Sequence, residues 1–189
     1  MAIFEGTTLD EARGIIARYP RGRERSAVMP LLYLAQSIEG NVTRDALRET
    51  ADLIGLKTAE VEAVASFYTM LRLRPTGRHV VSVCTNLTCA LRGAKDVYEE
   101  AHLAAGIPHG GELSEDGVIT LHEEECLGAC EKAPVVSIDF VFYDEVTPAR
   151  MGAMVASLRR GEVPEPPRGE AMRDFRAASR VLAGLEIDA

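Results

Sequence analysis

His79-Val-Val-Ser-Val-Cys84 is a β-branched run that ends on a cysteine, and Glu125-Cys-Leu-Gly-Ala-Cys130 sets two more thiols on one short turn. The first stretch predicts a strand that delivers Cys84 at its C-terminal end. Cys89 then opens a helix that continues through Gly93 to about residue 104. A turn at Gly110-Gly111 leads to a second strand over 118–122. Gly128 lets the backbone turn tightly between Cys126 and Cys130. Residues 135–138 and 141–145 predict a strand pair, and Thr147 with Pro148 opens a last helix to Arg160. The order over 78–160 is therefore β-α-β, a cysteine turn, then β-β-α.

The chain has four cysteines, Cys84 with Cys89 as C-x4-C and Cys126 with Cys130 as C-x3-C, and 36 residues separate the pairs. Four thiolates from two short loops suit a [2Fe–2S] cluster, with two sulfur ligands for each iron. They also suit one zinc ion or two disulfides. The start of the chain lacks a basic segment followed by an apolar core and a small-residue cleavage site, so no secretory signal is expected. Thiols kept in a reducing compartment stay reduced unless they bind metal or do redox work, which argues against structural disulfides. Thiol-exchange chemistry wants C-x-x-C, a spacing absent here. Zinc halves are most often C-x2-C knuckles. The wider loops favour the larger binuclear core, with zinc the remaining alternative on spacing.

Lys and Arg total 21 against 29 Asp and Glu, a net charge of −8, which opposes binding to nucleic acid. Unbroken apolar runs are only a few residues long, far short of the roughly 20 needed to cross a bilayer, so no membrane insertion is expected.

Residues 1–77 predict a helical domain. Thr8 and Glu11 form a capping-box pattern before a helix to Tyr19. Ser26 can cap a second helix, with Pro30 in its first turn and a stripe that includes Leu31, Leu32, Leu34 and Ala35 before Gly40. A third follows Thr43 and stops at Gly55; Thr58 opens a fourth, before a boundary at Pro75 and Gly77. The last two have the outline of a helix-turn-helix. Residues 44–70 carry three cations and five anions, and the would-be recognition helix begins with Glu60 and Glu62. It would repel phosphate where it should dock, so these helices are read as a packing or partner-docking module. Residues 161–189 are a tail: a stiff Pro-rich linker over 162–168, then an amphipathic segment with Met172, Phe175, Leu182 and Leu185. Such a segment folds back on its own chain or docks into another subunit, and the Pro-rich spacer tilts the expectation to a partner.

The run Val83-Cys-Thr-Asn-Leu-Thr-Cys89-Ala-Leu-Arg-Gly93, followed by Glu125-Cys-Leu-Gly-Ala-Cys130-Glu-Lys-Ala-Pro134-Val-Val, resembles the thioredoxin-like [2Fe–2S] ferredoxin family. This is the family of the 24-kilodalton-type subunit of NADH–quinone oxidoreductase, respiratory complex I. Met29-Pro-Leu-Leu, the Gly40 turn and Val64-Ala-Ser-Phe-Tyr68 extend the resemblance into the helical domain. It implies a mixed α+β (α/β) architecture: a helical bundle, a thioredoxin-like domain and a C-terminal extension. It further implies that Cys84, Cys89, Cys126 and Cys130 all ligate one cluster. The implied role is one-electron transfer beside a partner subunit that carries FMN and binds NADH, among further iron–sulfur subunits. The implied place is cytoplasmic, peripheral to the inner face of the plasma membrane through the complex. The chain lacks a G-x-G-x-x-G of its own, so it is not expected to oxidise NADH alone. A soluble NAD-linked formate dehydrogenase or hydrogenase has an equivalent subunit, and the cysteine pattern does not separate the two.

The four histidines, His79, His102, His109 and His122, show no C-x-H pairing and are set aside as ligands, His122 as a surface residue. Glu123, Glu124, Glu125 and Glu131 read as a solvated acidic face beside the thiols. One departure from the family stands out. Asp139 leads into Phe140 and Val141, poor chemistry for a solvated hairpin tip, so the tip is expected to lie under a partner subunit.

Overall fold

The N-terminal helices form where their apolar stripes and glycine stops place them. In the computed structural model, which describes residues 2–187, these are α1 (Thr7–Ala17), α2 (Val28–Glu39), α3 (Arg44–Ile54) and α4 (Thr58–Phe67). Leu31, Leu32, Leu34 and Ala35 of α2 are fully buried, as their spacing predicts. Gly40 takes up a left-handed conformation at φ 82°, which ends α2 where a side chain would be strained. Thr43 caps α3 by accepting the Ala46 N–H at 3.1 Å.

Two expected caps do not form. The Thr8 hydroxyl accepts the Glu5 N–H at 2.9 Å and Glu11 pairs with Arg180, so neither closes a capping box. Ser26 lies inside a 3-10 turn, Glu24–Ala27, that feeds directly into α2.

The chain divides into two units, one holding residues up to Pro75 together with those from Arg176 on, the other Thr76–Phe175. The division explains Arg180. The last helix, α8 (Phe175–Leu182), belongs from its second residue to the same unit as α1 and α2. Arg18 donates to the carbonyls of Ala183 at 3.1 Å and Gly184 at 2.9 Å. Ala183 is buried in the same core as Leu31 and Ile15. The tail expected to favour a partner thus folds back on its own helices, drawn by Glu11 and Arg18. Gln36, fully buried, ties this together: its amide donates to the Met70 carbonyl and the Ser179 hydroxyl, each at 3.1 Å, and accepts the Arg72 N–H at 2.7 Å.

In the second unit a four-stranded sheet has the order β2-β1-β3-β4, from β1 (His79–Cys84), β2 (Ile119–Glu124), β3 (Val136–Ile138) and β4 (Val141–Tyr143). β1 runs parallel to β2 and antiparallel to β3, and β3 and β4 form a hairpin. The parallel pair requires a crossover. It is made by α5 (Leu87–Leu91) and α6 (Ala94–Ala105). Gly93, at φ 90°, separates them, so the single helix expected through Gly93 is two. The sheet packs its Val81, Val83, Leu121 and Ile138 with Val97 and Ala101 of α6 and Val155 and Leu158 of α7 (Pro148–Arg159). Thr147 caps α7 through the Arg150 N–H at 3.3 Å.

The hairpin tip is a two-residue turn with Asp139 at φ 50° and Phe140 at φ 68°, the twist that matches paired strands. Asp139 is buried, with its carboxylate 2.7 Å from His79 Nδ1 and accepting the Val80 N–H at 2.8 Å. Burial pushes this carboxyl up, with His79 pulling the other way. Phe140 is half-buried, its ring centroid 5.4 Å from that of Phe175. Part of the cover expected from a partner is therefore supplied by the chain itself. Among the described residues no helix is long and apolar enough to cross a membrane.

Candidate metal centre

Strand register brings the two cysteine pairs together. Cys84 lies level with Glu124 in the parallel β1–β2 pair, so both strands stop at one edge and hand the chain to the two cysteine loops. The Thr85 N–H continues the ladder to the Glu124 carbonyl at 3.0 Å, and the Thr85 hydroxyl donates to Glu123 at 2.7 Å. On the other side of β1, the Cys84 N–H donates to the Val135 carbonyl at 3.1 Å. The C-x4-C loop is thus clamped to the chain that precedes Cys126 and to the chain that follows Cys130.

All four cysteines are free thiols, which removes the disulfide reading among the described residues. Cys84 and Cys89 are buried and pack with Ala94, Ala133 and Leu127. Cys126 and Cys130 are exposed. The centre therefore has a dry half and a half at the surface.

The sulfurs interact as pairs. Cys89 is pushed up to about 11, first by burial and then by Cys84 beside it, while a Val135 backbone hydrogen bond works the other way. Cys130 is raised chiefly by its contact with Cys126, against which the Thr88 side chain acts. Unaided, such neighbours resist becoming thiolates together; a cationic core between them reverses that balance. Two further contacts fix the ligand loops. The Gly128 N–H points at Cys126 Sγ at 3.4 Å, from a turn that needs φ 74° at Gly128. Cys84 Sγ lies 3.8 Å from the Glu125 carbonyl.

Among the described residues no three His, Cys, Asp or Glu side chains converge closely enough to hold a single metal ion. Four thiols held as two close pairs supply two sulfur donors for each iron of a two-iron core. The donor set fits the group that the sequence resemblance implies.

The histidines do not join this centre. His79 is paired with Asp139, and His102 Nδ1 lies 3.0 Å from the Ile107 carbonyl. His109 approaches Glu99 at 3.5 Å and partly buried His122 approaches Glu112 at 4.0 Å. Sequence reasoning missed the buried His79–Asp139 pair. Its one signal was an acid set between apolar residues at a hairpin tip. It also missed Thr88, which shows only once α5 is laid beside the second loop.

Residues 12–159 match the thioredoxin-like [2Fe-2S] ferredoxin family. The chain is 46% identical over 175 residues to an NADH-quinone oxidoreductase subunit of Mycobacterium tuberculosis, an alignment covering 93% of this chain and 68% of that protein. It is 40% identical over 147 residues to the NADH-quinone oxidoreductase subunit 2 of Thermus thermophilus, covering 77% of this chain and 81% of that one. Among solved structures, an NAD+-reducing [NiFe]-hydrogenase in the H2-reduced state superposes with a TM-score of 0.63 at 21% identity, over 72% of this chain and 22% of the hydrogenase chain. The last likeness is one of fold alone, and the chain spans about a fifth of that larger protein. With most of its length matched, this chain belongs to the thioredoxin-like [2Fe-2S] ferredoxin family.

Proposed function

We propose that the chain is the [2Fe–2S] electron-transfer subunit of an NADH–quinone oxidoreductase, working beside a partner subunit that carries FMN and binds NADH. One observation carries the reading: the level ends of β1 and β2 gather Cys84, Cys89, Cys126 and Cys130 at one edge of the sheet. The relatives in mycobacteria and Thermus support the assembly it serves. Cys84 and Cys89 would hold one iron on the buried side, and Cys126 and Cys130 the other at the surface.

When bound, such a cluster supplies one-electron storage at a potential set by charge, sulfur hydrogen bonds and solvent. The residues of this chain set those three terms. Ala94, Ala133 and Leu127 keep water from the inner pair. The Gly128 N–H stabilises negative charge on Cys126. Glu123, Glu125 and Glu131 are exposed nearby and oppose added negative charge. Through its complex the chain would sit peripherally on the cytoplasmic face of the membrane.

Anaerobic isolation of the chain tests the centre. Two irons and two acid-labile sulfides, with visible absorption bleached by dithionite, are expected, and Cys84→Ala should abolish them. A colourless protein holding zinc would overturn the assignment. Copurification tests the assembly: a membrane-bound set with flavin and quinone activity supports it, and a soluble formate- or hydrogen-oxidising set replaces it.

A further inference from the structure

Each cysteine loop carries one leucine, and the two are placed in opposite ways. Leu87, between Cys84 and Cys89, is 71% exposed. Leu127, between Cys126 and Cys130, is half-buried and packs against the buried group of Cys84, Cys89, Ala94 and Ala133. The second loop therefore alternates. Its two cysteines and Gly128 are exposed, whereas Leu127 and Ala129 turn inward. Gly128 makes the reversal: its φ of 74° suits a residue without a side chain, and its N–H returns to Cys126 Sγ at 3.4 Å.

The buried thiols are thus closed by two kinds of residue. Ala94 and Ala133 are 0% and 4% exposed, and each offers a single methyl group. Ala94 is the first residue of α6, so it leaves only if that helix moves. Leu127 is larger, and among the described residues it is the one partly buried apolar side chain packed against this group. It hangs from the exposed loop that carries the second thiol pair, and only that loop has to move for it to withdraw.

We propose that Leu127 is the lid of the buried half of the thiol centre, its size setting the redox midpoint and the retention of iron there. The inference rests on the electron-transfer reading above and specifies which side chain governs it. Reduction adds negative charge to a centre already held by four thiolates. Water stabilises that charge, so dry surroundings lower the midpoint and wetter ones raise it. Withdrawing the leucine also opens Cys84 and Cys89 to a chelator. Cys126 and Cys130 already face solvent, so trimming Leu127 acts on the inner sulfurs.

The test uses the full-length chain isolated anaerobically with its cluster, as parent, Leu127→Ala, Leu127→Met and Leu87→Ala. Redox titration followed by EPR reads the midpoint, and decay of visible absorption in excess EDTA reads retention. Leu127→Ala is expected to raise the midpoint and to shorten cluster lifetime about tenfold. Leu127→Met, of similar volume, and Leu87→Ala should both stay with the parent. A parental or lowered midpoint in Leu127→Ala, an unchanged lifetime, or an equal change in Leu87→Ala overturns the proposal. Should Leu127→Ala fail to hold a cluster, Leu127→Val, one carbon shorter than the parent, decides. It must hold the cluster at a raised midpoint; a parental midpoint, or failure to load it as well, refutes the lid. A parent chain without iron would sink the electron-transfer reading itself, a result distinct from any of these.

Discussion

Replacing Asp139 is the sharpest probe of how this chain supports β1 and hence Cys84. Both carboxylate oxygens are used, one 2.7 Å from His79 Nδ1 and one accepting the Val80 N–H at 2.8 Å, and Asp139 and His79 are 1% and 0% exposed. Asp139→Ala leaves two buried polar groups without this acceptor, each worth about 1–3 kcal/mol. The ring is already short of partners, for His79 Nε2 is buried without a hydrogen bond in the structure. Together the two losses come to about 2–6 kcal/mol. The backbone adds to it: φ is 50° at this position, a region where alanine is disfavoured by about 1–2 kcal/mol.

The substitutions should therefore fall in order. Asp139→Asn keeps one acceptor and tolerates the left-handed turn, and is expected to cost about 1–2 kcal/mol. Asp139→Gly relieves the backbone but loses both hydrogen bonds, and falls between asparagine and alanine. Alanine is the worst. For a chain of this size, the alanine variant should melt roughly 10 °C or more below the parent. Thermal unfolding of cluster-loaded protein, followed by far-UV circular dichroism, reads the series. An alanine variant that melts with the parent, or above the asparagine variant, would refute the claim that this buried pair organises the hairpin.

Gln36→Leu should destabilise the helical unit by about 2–4 kcal/mol in denaturant titration, because the Met70 carbonyl and Arg72 N–H both lose their Gln36 partner. Gly77→Ala should be costly, since a Cβ there would stand 2.9 Å from the backbone of Val118 and Ile119. Gly152→Ala should be mild, because the atom it meets at 2.7 Å is the movable carboxylate of Glu100; melting temperatures of the two variants check the contrast. The Asp116 carboxyl is held below its ordinary value of 3.8, first by the Ser114 hydroxyl and then by the Val118 N–H, with Arg159 assisting. A depressed acid contributes stability that is present above its unfolded pKa and lost as pH falls through the folded one. Acid titration of unfolding should thus show Asp116→Asn weaker than the parent at neutral pH and equal to it once pH drops well below 3.8.

What could be read from sequence was what local chemistry settles. The β-branched run from His79 to Cys84 forms a strand with those limits, and Thr43 and Thr147 cap the helices they precede. Each signal lies within a few residues of its effect. The failures come where distant chain intervenes. Thr8 and Glu11 have capping-box spacing, but Arg180, 169 residues away, takes the glutamate. The helix expected from Cys89 breaks because Gly93 adopts φ 90° just after the ligand turn. At the site, cysteine spacing singled out four candidate donors, while the division into a buried and an exposed pair depends on how α5 and the second loop pack, which spacing does not encode.

The placement of residues from Arg176 on with the first helices makes the second unit an insertion within the first. On the ribosome, α1 to α4 emerge early, yet Ser179 and Arg180, the counterparts of Gln36 and Glu11, follow them by 143 and 169 codons. The helical unit is thus completed only after the whole ferredoxin-like unit has been synthesised, whereas that unit is one continuous segment free to form first. Nascent-chain order and final architecture run in opposite senses, and a cluster-bearing core would be in place before the helices that begin the protein are closed.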